Sequence, residues 1–563
     1  MFSNKENINI LTSLLVGHGI RHVIACPGSR NAPMIHNFNE CPDITCHPVT
    51  DERSACFYAI GMMLATGEPV AVCVTSGTAL LNLAPAVAEA YYQKLPLVVI
   101  SADRPAAYIN QLDGQTLPQD GVLGIFARKS VNVPEPKDDI ERWHCMRMIN
   151  EALIECKRYG GAPVHINMPV AEPLFEFSSD SLPETRVLKL IPQVTDRHIL
   201  EQTLVSSFRS SCRPMIVVGQ LKPGSVDATI MEKIKDKAII ISESVGCASF
   251  NSCFDEVLCG IDNATAFLPD FIIYIGGTIV SKRLKKFLRT AVDADVWRVD
   301  EDGDVHDTFM NLGTVIQGVP DDVLEVIANE PVMPEHSNYV ALWGGHIGHV
   351  ASYSAEYEPA FSQMAVVKYF EEQLADMDYD YAVHYANSSA IRLANIYADH
   401  HVLCNRGVNG IEGSLSVAAG HSVVYGGMVF CVTGDLSFFY DQNALWNTNL
   451  SGNLRIILLN NGCGGIFYRL EGLSASQALD KMVAGGHATT AQGICVQNDI
   501  GYMKAEDMNE MQIGVVTLLT STSKRPVLLE IFTDETEDKR ALDDYYGGVM
   551  ELLSRDKGNN KTV

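Results

Sequence analysis

Apolar residues fall into short runs with turn residues at their ends, and two distant stretches carry them in the same order. In AVCVTSGTALLNLAPAVAEAYYQKLPLVVISADRP, residues 71–105, a β-branched run stops at Ser-Gly, an apolar stretch of helical length follows, and a second apolar run leads into a polar loop. VFCVTGDLSFFYDQNALWNTNLSGNLRIILLNNG, residues 429–462, repeats that order, down to the Cys-Val-Thr before each turn. Apolar runs of strand length, each followed by a helix-length segment, predict parallel strands buried on both faces and joined by crossover helices. A middle segment has strand signals of its own in RPMIVVGQ and PDFIIYIGG. Turn-rich, proline-bearing stretches at residues 177–193 and 318–362 separate the three segments and read as irregular connections. The pattern predicts an α/β fold of three doubly wound parallel-sheet domains, at residues 1–180, 190–345 and 355–553. The polar residues 554–563 are predicted to be a frayed tail.

Composition narrows the function classes. With 563 residues, 47% hydrophobic and 20% charged, the chain is neither disordered nor fibrous. MFSNKENINI shows no charged-then-apolar leader and no apolar run reaches membrane-span length, so a cytoplasmic protein without membrane contact is expected. The formal charge of −26 speaks against nucleic acid as a partner. Fifteen cysteines without a CxxC pair fit buried apolar positions better than disulfides or a zinc ribbon. GQLKPG lacks the Gly-Lys-Ser/Thr of a P-loop, and neither GxGxxG after a strand nor GxSxG occurs. His18 and His22 have zinc-like i, i+4 spacing but no HExxH glutamate, so they read as structural.

Candidate chemistry gathers where runs end. Asp435 follows Gly434 at the end of an apolar run, where a strand should stop and a helix start, the place at which α/β sheets bind ligands. Asn461 lies 26 residues further on, at the end of the next run. A carboxylate and an amide oxygen emerging from neighbouring strand ends, with a backbone carbonyl nearby, suit a hard cation such as Mg²⁺ that bridges phosphates. Either motif alone is turn chemistry; together, at this spacing, they point to a metal. Glu52, in VTDERSACFYAIGMMLA, opens an apolar helix where burial would tune its protonation, although a helix-dipole role alone would also explain it. Arg30, Arg104, Lys282, Arg283, Arg392 and Arg406 sit at predicted strand ends and turns of a chain with 68 acidic and 42 basic residues. Singly each reads as a solvated cation, but a cluster of such groups would hold dicarboxylates.

Gly-Asp followed by Asn-Asn resembles the signature of the thiamine diphosphate-dependent enzymes. The resemblance implies pyrimidine-binding, central and diphosphate-binding domains, with Asp435, Asn461 and the carbonyl of Cys463 holding Mg²⁺ or Mn²⁺. It implies that Gly434, Leu436, Ser437, Ile466 and Phe467 line the cofactor, that Ile411 wedges it into a V shape, and that Glu52 lies beside N1′ of its aminopyrimidine. Gly462-Cys463 departs from the family's usual Asp/Asn-Gly, which bears on the geometry of the metal loop. CPGSRNAPM, DERSACF, SADRP followed by DGQ, GGTIVSKRL, NSSAIRL, NRGVNGIEG and GDLSFFYDQN span nearly the whole chain. Together they are similar to the menaquinone-biosynthesis branch of that family. Its members decarboxylate 2-oxoglutarate and add the succinyl carbanion equivalent to isochorismate, giving 2-succinyl-5-enolpyruvyl-6-hydroxy-3-cyclohexene-1-carboxylate and CO2. By that resemblance Ser29, Arg30, Arg104, Gln115, Lys282, Arg283, Ser388, Arg392 and Arg406 form the substrate pocket. Glu52, Gln115, Ser388 and Arg392 act in catalysis, and the working unit is a homodimer or homotetramer. Two alternatives stand beside this reading: another thiamine diphosphate enzyme of 2-oxo acids, such as acetolactate synthase, and a non-catalytic binding protein on the same fold. Retention of Glu52 with the Asp435/Asn461 pair argues against an idle protein.

Overall fold

The computed structural model describes residues 1–188, 190, 197–247, 250, 253–261, 264–470 and 472–559. Among these residues seventeen strands form three sheets, and every pairing within them is parallel. The first sheet uses β1 (His22–Ala25), β2 (Thr45–Pro48), β3 (Val70–Val74), β4 (Leu97–Asp103), β5 (Lys129–Asn132) and β6 (Val164–Pro169). The second uses β7 (Pro214–Val218), β8 (Ile239–Ser242), β9 (Phe271–Ile275), β10 (Asp295–Asp300) and β11 (Leu312–Gln317). The third uses β12 (Tyr381–Tyr385), β13 (Val402–Leu403), β14 (Met428–Gly434), β15 (Leu454–Asn460), β16 (Gly501–Ala505) and β17 (Val527–Phe532).

The first sheet runs β2-β1-β3-β4-β6-β5 and the third β13-β12-β14-β15-β17-β16, the same order. The repeat in the sequence is therefore a repeat in topology. β3, β4, β9 and β15 are buried along their whole length, which is why they read as unbroken apolar runs. Each fully buried Val, Leu or Ile there contributes about 1.5–3 kcal/mol relative to exposure. In both outer sheets chain order reverses beside the first strand, at β1/β3 and β12/β14, and the carboxyl ends of those pairs are the ligand-binding crevices of this architecture.

The two outer layers meet through helices Glu52–Thr66 and Ser414–Val424. Asp51 caps the first, accepting from the backbone N–H of Arg53 at 2.9 Å and Ser54 at 3.3 Å. The backbones touch at two glycines. A Cβ on Gly61 would lie 2.0 Å from the Val417 carbonyl oxygen, and one on Gly420 would lie 2.3 Å from that of Tyr58.

Residues 318–362, expected to be irregular, instead carry helices Pro320–Ala328 and Pro334–Glu356. Pro320 and Pro334 each occupy the first helical position, where the missing N–H is no loss and the fixed φ suits the turn, while Pro331 and Pro359 lie in the short connections outside the helices. Helix Glu535–Asn559 likewise runs through much of the segment expected to fray, while residues 560–563 lie outside those described. Of the first connection, residues 189 and 191–193 also lie outside them. All fifteen cysteines are unpaired and only Cys212 is exposed. Among the described residues no helix is long and apolar enough to cross a membrane.

Candidate active site

β14 ends at Gly434, and Asp435 opens the short helix Asp435–Tyr440. Its carboxylate is 3% exposed and accepts from the backbone N–H of Leu436 at 2.6 Å, Gly462 at 2.8 Å and Cys463 at 3.1 Å. Burial pushes this carboxyl above the ordinary aspartate range, against the pull of those N–H groups and of His487. Asn461 follows the neighbouring strand β15, as the spacing predicts. Its amide nitrogen donates to Asp538 Oδ2 at 2.9 Å, so the amide oxygen turns away, with only long contacts to Cys463 N at 3.4 Å and Sγ at 3.7 Å. The Cys463 carbonyl accepts one hydrogen bond, from Gly465 N at 3.1 Å, and keeps its second lone pair. Three oxygens with spare lone pairs thus converge from two adjacent strand ends, a donor set that fits a hard divalent cation. Among the described residues no three His, Cys, Asp or Glu side chains cluster as a softer ion would require. The unusual Gly462 is accommodated: its φ is +76°, and a Cβ there would sit 2.8 Å from the His487 carbonyl oxygen.

Several of the residues expected to line the cofactor lie around this loop. Ser437 Oγ donates to the Ile411 carbonyl at 2.5 Å, fixing the backbone of an isoleucine whose side chain is 43% exposed. Ile466 and Phe467 lie in the 3-10 turn Gly465–Arg469 that follows the metal-loop candidates.

The crevice partner of β14 is β12, which leads into Asn387 and Ser388. Ser388 has φ +79°, a conformation serine rarely adopts and one that marks a functionally constrained backbone. The Arg392 guanidinium donates to the Ser388 carbonyl at 2.6 Å. Arg406, 7% exposed, donates to Asn387 Oδ1 at 2.9 Å, and its Nε is buried without a partner. Arg392 has its pKa lowered by burial and then by the charge of Arg406; Lys285 is lowered by the same two causes. A half-buried group of like charges needs an anion to complete it. Glu243, the carboxyl that acts on Arg406 and Lys285, is spent on the backbone N–H groups of Val280 and Ser281, each at 2.6 Å, and burial pushes it up to about 7. Arg283 is already engaged with Asp255 and stacks over Tyr546 at 5.2 Å, while Lys282 is exposed at the start of the same helix.

The remaining candidates belong to the first sheet. Ser29 and Arg30 follow β1; Ser29 is exposed, and Arg30 is buried, donating to the Val170 carbonyl at 3.1 Å and to Glu172 at 3.2 Å. Arg104 follows β4 with its Nε buried and unpartnered, and Gln115 sits exposed in a loop with φ +56°. Glu52 is half-exposed and accepts from Asn82 at 3.1 Å, so the burial expected around it is not supplied by its own chain. Its helix start touches the far end of Asp435–Tyr440, where Arg53 donates to the Tyr440 carbonyl at 2.9 Å, one helix length, roughly 8 Å, from Asp435. Among the described residues no hydrogen bond joins Glu52, Ser29, Arg104 or Gln115 to Asp435, Asn461, Arg392 or Arg406. The Glu52 and Asp435 candidates thus form two groups, one on each outer sheet.

Three supporting residues escape a sequence reading. Asp538 orients Asn461 and also accepts from Thr533 Oγ1 at 2.9 Å and Gln363 N at 2.7 Å. Asn387 donates to the carbonyls of Asn405 at 2.6 Å and Gly410 at 2.8 Å, and Glu89 accepts from Gly407 N at 2.8 Å and Val408 N at 2.7 Å. Together they clamp the loop that bears Arg406 and Ile411. Only Glu89 left a signal, an acid inside the apolar helix segment APAVAEAYY.

The family model for the N-terminal TPP binding domain of thiamine pyrophosphate enzymes matches residues 8–122. The chain is 42% identical to the 2-succinyl-5-enolpyruvyl-6-hydroxy-3-cyclohexene-1-carboxylate synthase of Bacteroides thetaiotaomicron, over 97% of this chain and 99% of that one. It is 43% identical to the synthase of the same name from Bacteroides fragilis, with the same coverage, and 40% identical to that of Phocaeicola vulgatus over 98% and 99%. End-to-end likeness at this level, on three parallel sheets, places the chain in the 2-succinyl-5-enolpyruvyl-6-hydroxy-3-cyclohexene-1-carboxylate synthase family of thiamine diphosphate-dependent enzymes.

Proposed function

We propose that this chain catalyses the thiamine diphosphate-dependent decarboxylation of 2-oxoglutarate and the 1,4-addition of the succinyl unit to isochorismate, a step of menaquinone biosynthesis. The observation that carries the substrate class is the half-buried cation group of Arg392, Arg406 and Lys285 beside the strand end that bears Asp435. The names of the relatives favour this reading over an acetolactate synthase-like enzyme or an idle binding protein.

Asp435, Asn461 and the Cys463 carbonyl would hold Mg²⁺, or Mn²⁺, against the cofactor's diphosphate, with Gly434, Leu436, Ser437, Ile466 and Phe467 as the walls and Ile411 as the wedge. When bound, thiamine diphosphate supplies a nucleophilic carbon for a 2-oxo acid and a sink for the charge left as CO2 departs. Glu52 holds and returns the proton at N1′ of the aminopyrimidine. Arg392 and Arg406 grip substrate carboxylates with planar forks, and Ser388 and Gln115 donate hydrogen bonds. Ser29, Arg30, Arg104, Lys282 and Arg283 complete the binding surface for two diacids. On this reading the half-exposed Glu52 group and the Asp435 group are half-sites that a homodimer, or a tetramer built from it, joins across subunits.

The test is a product assay with 2-oxoglutarate and isochorismate, with and without thiamine diphosphate and Mg²⁺. The expected product forms only with both additions, and turnover of 2-oxoglutarate without addition to isochorismate would refute the synthase reading.

A further inference from the structure

Residues 484–489 run along the metal loop and are fastened to it: Gly464 N donates to the Ala484 carbonyl at 2.7 Å and His487 N to the Gly462 carbonyl at 2.8 Å. The close approach depends on Gly462, whose absent Cβ would meet the His487 carbonyl. Gly462 thus lets the backbone at residue 487 lie against the loop, which sets where the side chain of that residue begins.

The His487 ring is held on both sides. Phe439 meets it edge to face, with centroids 5.4 Å apart and planes at 87°. Nδ1 accepts from Thr489 N at 3.1 Å, so the neutral ring carries its proton on Nε2. That Nε2 is buried and has no hydrogen-bond partner. The carboxylate it faces, Asp435 Oδ2, is 3.5 Å away and already accepts from the N–H groups of Gly462 and Cys463. A buried, pre-oriented N–H whose facing carboxylate lies 3.5 Å away and is already engaged by two backbone N–H groups keeps its hydrogen-bonding capacity for an acceptor that enters the site.

We propose that His487 is a further cofactor-binding residue, its Nε2–H donating to an anionic oxygen of the thiamine diphosphate held at Asp435. This rests on the cofactor reading above and adds to the metal ligands a group that recognises the diphosphate directly. A histidine that served only to pack against Phe439 would have no need of a fixed tautomer aimed at the site.

Calorimetric titration of the full-length protein with thiamine diphosphate at saturating Mg²⁺ tests it, with wild type, His487→Phe and His487→Gln compared and the melting temperature of each unliganded protein measured alongside. His487→Phe keeps a ring against Phe439 but loses the donor, and affinity should fall about 10- to 100-fold. His487→Gln keeps an N–H and should recover most of it, with unliganded melting temperatures unchanged. In ¹⁵N NMR of the wild type, the His487 Nε2 signal should shift when cofactor is added. Wild-type affinity in His487→Phe, equal losses in both variants, or a loss matched by a lower unliganded melting temperature would overturn the assignment. Failure of the wild type to bind thiamine diphosphate would instead bring down the cofactor reading on which it rests.

Discussion

Replacing Arg406 by alanine tests the carboxylate-binding reading most severely, because the structure fixes what the side chain already does. One N–H goes to Asn387 Oδ1 at 2.9 Å, Nε–H is buried and unpaired, and only 7% of the residue reaches solvent. A buried guanidinium with unspent donors interacts with a bound carboxylate at low effective dielectric, where removing one partner costs about 2–5 kcal/mol, against ~0–1 kcal/mol for an exposed cation. In rate terms that is a fall of roughly 30- to 5,000-fold in kcat/KM for 2-oxoglutarate or isochorismate. Some of the loss is offset, since Arg392 and Lys285 would no longer face a like charge, which favours the lower half of the range. Arg406→Lys keeps the charge without the fork and should fall between wild type and alanine. Arg392→Ala should behave like Arg406→Ala. Steady-state kinetics with each substrate varied in turn, and calorimetry with thiamine diphosphate, separate substrate binding from cofactor binding. A loss of less than tenfold, ~1.4 kcal/mol, for both substrates, or an equal loss of cofactor affinity, would refute the clamp for that residue.

Asp435→Ala should abolish Mg²⁺-dependent thiamine diphosphate binding by calorimetry, because the diphosphate would face the loop unbridged; retained affinity would remove Asp435 from the site. Glu52→Gln preserves shape but cannot cycle a proton, so turnover should drop by about 10² to 10⁴ and C2 hydrogen–deuterium exchange followed by NMR should slow in step, while wild-type exchange would leave Glu52 a structural role. Gly420→Ala would press a methyl into the Tyr58 backbone, where 2.3 Å is available, so the helices must separate at a cost of about 1–3 kcal/mol, read as a lower melting temperature. Glu243 is pushed up to about 7 from 4.5 by burial, so its contribution to stability is full below about 4.5 and is lost as pH rises through 7, a change of about 3 kcal/mol. Glu243→Gln does not titrate, so its melting temperature should gain on the wild type between pH 4.5 and 8, and a difference flat in pH would refute the assignment.

What could be read from the sequence follows from how far apart the interacting residues are. β14 and β15 were legible because strands buried on both faces leave unbroken apolar runs, and Asp435 and Asn461 because each directly follows such a run. Asp538 was not, since it reaches Asn461 across 77 residues and sits in an ordinary acidic first turn of a helix. Helix Pro334–Glu356 was misread because a proline that starts a helix looks, in one dimension, like a proline that interrupts one. Glu52 was rightly placed at a helix start, but its half-exposure was not foreseen, because helical periodicity reports which face of a helix is buried and not how far its first turn is covered.

The shared strand order of the first and third sheets gives the two proposed half-sites a common origin in geometry. Each sheet opens the same crevice, at β1/β3 and at β12/β14, and each places a Cys-Val-Thr before the turn at its edge. After Thr433 the turn is Gly434-Asp435, and the carboxylate gathers three backbone N–H groups beside Asn461. After Thr75 the equivalent turn is Ser76-Gly77, with no acid. Gly77 has φ +84°, and a Cβ there would lie 3.3 Å from the backbone of Gln115, so the loop bearing Gln115 lies against this turn. The acid of the first layer is instead Glu52, on the helix whose glycine crossing with Ser414–Val424 locks the two layers together. One crevice has the oxygens for a cation and an anionic ligand, and the other side has a carboxyl suited to a neutral or cationic ring. A cofactor with a diphosphate at one end and an aminopyrimidine at the other needs both, and in the proposed homodimer two facing copies of this chain would bring both together twice.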